Sequence, residues 1–233
     1  EVDEGGKCRQ CGEEVDLGRS LKMSKSKRNV VEPSTLIDRY GADTARLFSL
    51  FASPPEKDLD WSEQGVEGAF RFLGRVFRLI AVRSEAVSRA EGSWDDSPET
   101  RRIRRMTHQT LRKVTADVEE RYHFNTAISA VMEMVNFLYL VEDAAWESPG
   151  TAPALAEAVE TILLMLSPFA PHLSEELWER IGKKGLVSAQ AWPAFDEEVA
   201  RAEEILVVVQ INGKLRSRIT VDADATEIGR AHV

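Results

Sequence analysis

The chain has 233 residues, of which 43% are hydrophobic and 30% are charged. That apolar fraction excludes wholesale disorder, and the length suits one or two domains with a buried core. No apolar run approaches the roughly 20 residues of a membrane span, so no membrane association is expected. Two cysteines exclude a disulfide scaffold and favour a reducing, cytoplasmic location. The net charge of −9 argues against a uniform attraction to nucleic acid.

The charge is distributed unevenly along the chain. Residues 71–121 hold 12 basic and 8 acidic side chains, whereas residues 122–204 hold 4 basic and 14 acidic ones. Near the start, ten consecutive residues contain five cations and no carboxylate: Arg19, Lys22, Lys25, Lys27 and Arg28. Because such a cluster repels itself, it is either solvated or in contact with an anion.

The first motif in the chain is Cys8-x-x-Cys11 followed by Gly12, which has the form of half a zinc knuckle. A structural zinc site needs four ligands, and neither a second cysteine pair nor a suitably spaced histidine follows. The sequence therefore assigns no metal site, and two readings stay open: incidental thiols, or a half zinc site completed by other residues. A redox pair is the least favoured reading, because redox C-x-x-C pairs are expected at the start of a helix that follows a strand.

Helix signals begin after the basic cluster. Pro33 predicts a short helix that runs to Tyr40 and stops at Gly41, and a second helix is predicted over residues 43–52. Ser62 is the expected N-cap of a long helix. Its predicted buried side comprises Val66, Ala69, Phe70, Leu73, Val76, Phe77 and Ile80. Its other side carries Arg71, Arg75 and Arg78.

Further helices complete an antiparallel bundle. Ser97 and Pro98 open the next helix, and Asn125 is the expected cap of the one after it. The first has a predicted buried stripe of Ile103, Met106, Leu111, Val114 and Val118. Its exposed side is predicted to carry Arg101, Arg102, Arg104 and Arg105. The second has a predicted stripe of Ile128, Val131, Met132, Val135 and Leu138. Two more helices are predicted over residues 154–166 and 173–181, and one apolar stripe on each predicts mutual packing.

The last part of the chain predicts a β-hairpin. Two Val- and Ile-rich runs, residues 205–211 and 214–221, flank Asn212-Gly213, which is the strongest short hairpin signal. A lone hairpin is marginal in water, so the strands are expected to belong to an α+β domain present only in part. The predicted fold class is therefore mainly α, with domain boundaries at residues 1–61, 62–203 and 204–233.

Residues 22–26 read KMSKS, which resembles the second signature of the class I aminoacyl-tRNA synthetases. The following segments have the order seen in the subgroup for aliphatic amino acids and methionine: RYGAD at 39–43, PPEKDLDW at 54–61, PFAPHLSEELW at 168–178 and NGKL at 212–215. Together they resemble the leucyl-tRNA synthetase family of bacteria over nearly the whole chain.

This resemblance implies different roles for different parts of the chain. Residues 1–61 would be the end of a catalytic domain with stem-contact helices, and residues 62–203 an anticodon-stem-binding bundle. The activity implied is ATP-dependent activation of leucine, with Mg²⁺, and its transfer to tRNA(Leu); an oligomer is not indicated. Lys25 would be the principal phosphate contact and Lys22 would assist it. The small Ser24 and Ser26 would let the ATP-binding loop approach the phosphates, with Met23 packed beneath it.

The other catalytic signature of the family, His-x-Gly-His, does not occur here. The four histidines stand apart in the sequence, at His108, His123, His172 and His232. The resemblance therefore implies that the chain alone is inactive, as an internal or C-terminal part of a longer ligase.

The arginines of the two long helices would then neutralise tRNA phosphates without reading bases. No exposed aromatic residue is expected among them, so base stacking is not indicated. Two alternatives stay open: a valyl, isoleucyl or methionyl enzyme of the same type, and a non-catalytic tRNA-binding module.

Overall fold

A computed structural model describes residues 7–8, 10–14, 22–24, 26, 30–201, 204–211 and 214–222. The chain forms two compact units, Glu1–Gly41 and Ala42–Val233. The helices are α1 (Pro33–Tyr40), α2 (Ala42–Phe51), α3 (Glu63–Arg89), α4 (Pro98–Glu119), α5 (Phe124–Leu138), α6 (Asp143–Glu147), α7 (Ala152–Leu166), α8 (Pro171–Arg180) and α9 (Glu197–Ala200). The strands are β1 (Glu204–Ile211) and β2 (Lys214–Asp222). The predicted mainly helical fold is confirmed, and the three-domain division stays a prediction.

The first unit contains α1, whose two predicted boundaries are confirmed. Pro33 occupies the first turn, where its missing N–H costs no helical hydrogen bond. Gly41 ends the helix with φ 84°, a left-handed conformation that glycine adopts without a Cβ clash. Its amide donates to the Ile37 carbonyl at 2.8 Å. Among the described residues of this unit, none is buried.

In the second unit, α3 begins as predicted, because the Ser62 hydroxyl accepts a hydrogen bond from the Gly65 amide at 3.1 Å. The predicted stripe is confirmed at five buried positions: Val66, Ala69, Leu73, Val76 and Ile80. It is wrong at Phe70, which is 48% exposed, and Phe77 is only half-buried. The buried face is rotated the other way, toward Phe72 and Leu79.

Helix α4 is capped by Ser97 as predicted, whereas the predicted cap of α5 is wrong. Asn125 lies inside α5, because the His123 amide donates to the Asp117 carbonyl and the helix begins at Phe124. Three predicted core residues are only half-buried: Met106, Val118 and Met132. In α5 the buried methionine is Met134, two residues further along.

Helix α7 is the centre of the bundle. Twelve of its 15 residues are buried, and it packs against α3, α4, α5, α6 and α8. Helices α6 and α9 have only five and four residues, too few for a periodic apolar pattern, so the sequence did not predict them. Trp146 of α6 is nevertheless 2% exposed and belongs to the core.

A carboxylate fixes α2 to α8. Asp43 accepts hydrogen bonds from the Leu173 amide at 2.7 Å and from the His172 ring at 2.7 Å. Helix α8 has no side-chain cap of its own, so Asp43 caps it from another helix. Arg46 adds a second link by donating to the Pro168 carbonyl at 3.0 Å.

The two strands form the antiparallel hairpin that the sequence predicts. Glu204 pairs with Asp222 and Ile211 with Lys214, with a register irregularity between Val209 and Gln210. The turn residues Asn212 and Gly213 lie outside the described residues. Among the helices described, none has the length and apolarity needed to cross a membrane.

Replacing Asp43 by alanine is expected to lower the free energy of unfolding by about 1–2 kcal/mol, because the orphaned amides of α8 lose their acceptor. The matched control is Asp96→Ala, since the Asp96 side chain is 87% exposed; its effect should stay within about 0.5 kcal/mol. Urea unfolding of both variants measures the difference. Equal stabilities of the two variants would contradict the capping role.

Candidate functional site

The KMSKS segment is described at Lys22, Met23, Ser24 and Ser26, and Lys25 lies outside the described residues. The Ser24 and Ser26 hydroxyl oxygens lie 3.2 Å apart, within hydrogen-bonding distance of each other. Lys22 is exposed. The segment therefore presents two small hydroxyl groups and an accessible ammonium group, a combination suited to contact with phosphate oxygens.

Met23 does not pack beneath the loop as expected. Its side chain is 41% exposed. Within the described part of the first unit no residue is buried, so Met23 has no apolar core there to pack against.

Cys8 and Cys11 lie in a tight turn. The Gly12 amide donates to the Cys8 carbonyl at 2.8 Å, and the Cys8 amide donates to the Glu13 carbonyl at 2.8 Å. Hydrogen bonds from the backbone amides of Cys11 and Gln10, with a further one from the Cys11 thiol, lower the pKa of the Cys8 thiol. The turn is not the start of a helix, so it lacks the setting of a redox pair.

Two of the three predicted arginines of α3 lie on its surface, whereas Arg75 is half-buried. Arg71 and Arg78 are exposed, and neither forms an ion pair with any residue that the structure describes. They are seven residues apart, two turns on the same side of α3, with Arg75 between them. We call Arg71, Arg75 and Arg78 the α3 arginine stripe.

The predicted exposed side of α4 is partly wrong. Arg101 and Arg102 are exposed, whereas Arg104 and Arg105 are half-buried. The Arg104 side chain is 18% exposed and its Nε donates to Glu157 of α7 at 3.3 Å. Its guanidinium also lies 3.9 Å from the ring centre of Trp94. Arg104 therefore joins two helices of the bundle, a role that the spacing of arginines along α4 does not reveal.

The expectation that no exposed aromatic residue lies among these cations is also wrong. Arg75 lies 4.8 Å from the ring centre of Tyr139, which is 41% exposed, and Arg102 lies 4.9 Å from that of Phe137. Both rings come from the end of α5. The sequence did not show this because tertiary packing brings α3 and α4 to that end.

Glu157 lies in a partly enclosed charged cluster with Arg104 and His108. Burial raises the pKa of Glu157, but its interactions with the His108 ring and with the Arg104 guanidinium outweigh burial and leave the pKa below its ordinary value. The Asp196 amide donates to His108 Nδ1 at 3.1 Å, which assigns the ring proton to Nε2. His108 Nε2 lies 3.3 Å from Glu157 Oε1, so the ring links α7 to the segment before α9.

The chain matches two known protein families. Residues 100–230, more than half of the chain, match the family described as the anticodon-binding domain of tRNA ligase. Residues 16–62 match the class I tRNA synthetases for isoleucine, leucine, methionine and valine. The chain therefore belongs to the anticodon-binding family of class I tRNA ligases.

Within that class, the chain is similar to bacterial leucine–tRNA ligases. It is 55% identical to the enzyme of Geotalea daltonii over 88% of this chain and 25% of that protein. It is 50% identical to that of Desulfatibacillum aliphaticivorans over 94% of this chain and 26% of that protein. The predicted resemblance to the leucyl family is confirmed. The chain spans about a quarter of the length of these relatives.

Solved structures show the same fold. A leucyl-tRNA synthetase from Agrobacterium radiobacter, in a ternary complex with tRNA and LeuAMS, matches with a TM-score of 0.76 and 35% identity. The match covers 91% of this chain and 27% of that one. The methionyl-tRNA synthetase of Mycobacterium tuberculosis matches with a TM-score of 0.56 over 70% of this chain and 36% of its own, at 17% identity, a likeness of fold alone.

Replacing Glu157 by glutamine is expected to lower the free energy of unfolding at pH 7 by about 1–2 kcal/mol, because a charged acceptor is lost at a partly exposed site. Because the pKa of Glu157 is lower in the folded state than in the unfolded state, its ionised form stabilises the fold at pH values above the unfolded-state pKa of about 4.3. This contribution disappears as the pH falls through the folded-state pKa. The wild type and the variant should therefore converge below about pH 4. Urea unfolding across pH 3–7 gives both curves.

The control for this series is Glu147→Gln, because Glu147 is exposed at the end of α6. Its stability difference from the wild type should stay within about 0.5 kcal/mol at every pH. A Glu157→Gln difference that grows on acidification would contradict the account.

Proposed function

We propose that the full-length protein is a leucine–tRNA ligase, which activates leucine with ATP and transfers it to tRNA(Leu). The observation that carries this is the KMSKS segment inside a class I match, in a chain 55% identical to a leucine–tRNA ligase. A valyl, isoleucyl or methionyl enzyme has less support, since the methionyl likeness is one of fold alone. A non-catalytic tRNA-binding module has no use for a phosphate-contacting segment. A cytoplasmic location accords with the proposed function.

In the activation step, a carboxylate oxygen of leucine bonds to the α-phosphorus of ATP and the bond to pyrophosphate breaks. Negative charge grows on the leaving pyrophosphate, so cations that approach it in the transition state lower the barrier. Lys25 is the proposed principal contact, with the exposed Lys22 assisting it. The hydroxyls of Ser24 and Ser26, 3.2 Å apart, would donate to the same phosphates.

Mg²⁺ is the proposed companion of ATP. Bound to the phosphates, it would neutralise part of their charge, which is how proteins commonly hold this ion. Within the described residues, no group of three His, Cys, Asp or Glu side chains is placed to hold a metal. We therefore assign the ion to the nucleotide and no Mg²⁺ ligand to the described residues.

The bundle is the proposed tRNA-binding surface. The α3 arginine stripe is supported best, because Arg71 and Arg78 are exposed and form no ion pair with described residues. Tyr139, next to Arg75, adds a partly exposed ring on which a base or sugar could pack. Arg101 and Arg102 are weaker candidates, because Arg101 already pairs with Asp96 at 3.1 Å. We propose no tRNA contact for Arg104, because it is paired with Glu157. We also propose none for Arg105, which is half-buried.

Replacing Lys25 by alanine in the full-length enzyme is expected to reduce leucine-dependent ATP–pyrophosphate exchange by about 10²–10³-fold, the usual loss for one anion-stabilising contact. Lys22→Ala should cause a smaller loss. The matched control is Lys113→Ala, because Lys113 is exposed on α4, outside the KMSKS segment; exchange measured without tRNA should be unchanged. An unaltered rate in Lys25→Ala would refute the assignment.

The double variant Arg71→Gln/Arg78→Gln is expected to bind leucine tRNA more weakly at low salt. Each lost phosphate contact should reduce the slope of log K against log salt by about 0.7–0.9. Fluorescence anisotropy of the full-length enzyme across a salt series measures both quantities.

Arg89→Gln is the matched control on the same helix, since Arg89 already pairs with Glu85. Its affinity and slope should equal those of the wild type. A double variant with an unchanged slope would show that the stripe does not contact phosphates.

A further inference from the structure

Helix α3 contains three glycines among its 27 residues: Gly65, Gly68 and Gly74. After proline, glycine is the least favourable residue inside a helix, because it loses the most backbone freedom on folding. Relative to alanine, each such glycine shifts the folding equilibrium about fivefold toward the unfolded state. A glycine in a long helix is therefore explained where a neighbour approaches the backbone more closely than a side chain allows.

Two of the three glycines have such a neighbour within the chain. A Cβ added at Gly65 would lie only 2.8 Å from Phe48 Cε2, so Gly65 makes room for the Phe48 ring of α2. A Cβ added at Gly74 would lie 3.5 Å from Arg78 Nη1, so the Arg78 side chain covers the backbone at that position. At Gly68, no described atom lies within 4 Å of an added Cβ. Gly68 therefore forms a notch in the surface of α3 that the described residues leave open.

The side chains that border this notch are polar or cationic. Residues three and four positions apart share a face of a helix, so Gly68 lies between Gln64 and Arg71. Both residues are exposed, and Arg71 has no ion-pair partner among the described residues. Glu67 precedes Gly68, but successive side chains leave a helix about 100° apart, so its carboxylate starts from a different side of α3.

The sugar–phosphate backbone of a nucleic acid fits these borders. A phosphate carries the negative charge that Arg71 can neutralise, and the adjoining ribose carries hydroxyl groups that the amide of Gln64 can bind. A side chain at position 68 would hold the ribose away from the helix and lengthen the contact between the phosphate and Arg71. An apolar protein segment fits less well, because the notch has a cation and an amide at its edges.

We propose that Gly68 is the position at which a ribose of tRNA packs directly on the backbone of α3, so that Arg71 holds the adjoining phosphate. This inference rests on the proposed function, because it takes tRNA as the partner of the α3 arginine stripe. Gly68 determines affinity in this way and contacts no reacting atom. It adds a requirement of shape to a surface that is otherwise defined by its positive charge.

The test is the affinity of the full-length enzyme for leucine tRNA, measured by fluorescence anisotropy at low salt. Gly68→Ala is expected to raise the Kd about tenfold, because its methyl group takes the space of the ribose, and the larger Gly68→Leu should raise the Kd further. The matched control is Gly74→Ala, the same substitution on the same helix, because Arg78 already covers that backbone. Its Kd should equal that of the wild type. A wild-type Kd in Gly68→Ala would overturn the proposal.

Urea unfolding of the same variants separates this role from a structural one. Both alanine variants should unfold at a urea concentration equal to or above that of the wild type, because alanine favours the helix. Unfolding of Gly68→Ala at a lower urea concentration would show that Gly68 packs against another part of the protein. That result would also overturn the proposal.

A double variant tests the link between Gly68 and Arg71. In an Arg71→Gln background, Gly68→Ala should raise the Kd by about twofold or less, because the phosphate no longer holds the ribose against α3. An undiminished tenfold effect would contradict the link. If Arg71→Gln/Arg78→Gln weakens binding and Gly68→Ala does not, Gly68 has no role at the stripe, whereas the proposed function is unaffected. Leucine-dependent ATP–pyrophosphate exchange by the wild type, without tRNA, tests the proposed ligase function separately.

Discussion

The stability of the bundle depends on the side chains that pair with the carboxylates of its central helix, α7. Helix α7 is buried along most of its length, yet it carries Glu157 and Glu160. Glu160 pairs with Lys183 at 2.5 Å, and Glu157 faces Arg104 and His108. A carboxylate half-enclosed by the core would be costly without these partners. Arg104, His108 and Lys183 therefore link α4, α7 and the segment after α8.

This internal pairing determines which positive charges remain for a polyanionic partner. The chain has a net charge of −9, so the proposed binding of tRNA would depend on local groups rather than on the overall field. Arg104 is committed to Glu157, whereas Arg71 and Arg78 on α3 have no ion-pair partner among the described residues. Residues 122–204, which lie outside this stripe, hold 14 acidic and only 4 basic side chains. The pairing that stabilises the bundle thus removes Arg104 from the set of accessible cations and leaves Arg71 and Arg78 exposed on α3.

Local signals in the sequence predicted local structure well. Ser62, Ser97 and Gly41 were identified from capping and turn preferences, which depend on a few neighbouring residues. Predictions that depended on tertiary packing were less accurate. The buried face of α3 excludes Phe70, and Asp43 caps a helix 130 residues further along the chain. The KMSKS motif suggests the proposed phosphate chemistry from five residues alone, whereas the surroundings of Arg104 could be known only from the fold. The position of Arg104 in the sequence of α4 does not show whether its side chain faces solvent or Glu157.

The central proposal is that two parts of the chain act on different polyanions in the full-length enzyme: residues 22–26 on the phosphates of ATP, and α3 on the backbone of tRNA. The most direct test compares ATP–pyrophosphate exchange with leucylation of tRNA in the full-length enzyme, for Lys25→Ala and for Arg71→Gln/Arg78→Gln. We expect Lys25→Ala to lower both rates, and the arginine variant to lower only leucylation by raising the KM for tRNA. Equal losses of both rates in the arginine variant, or exchange left intact in Lys25→Ala, would contradict it.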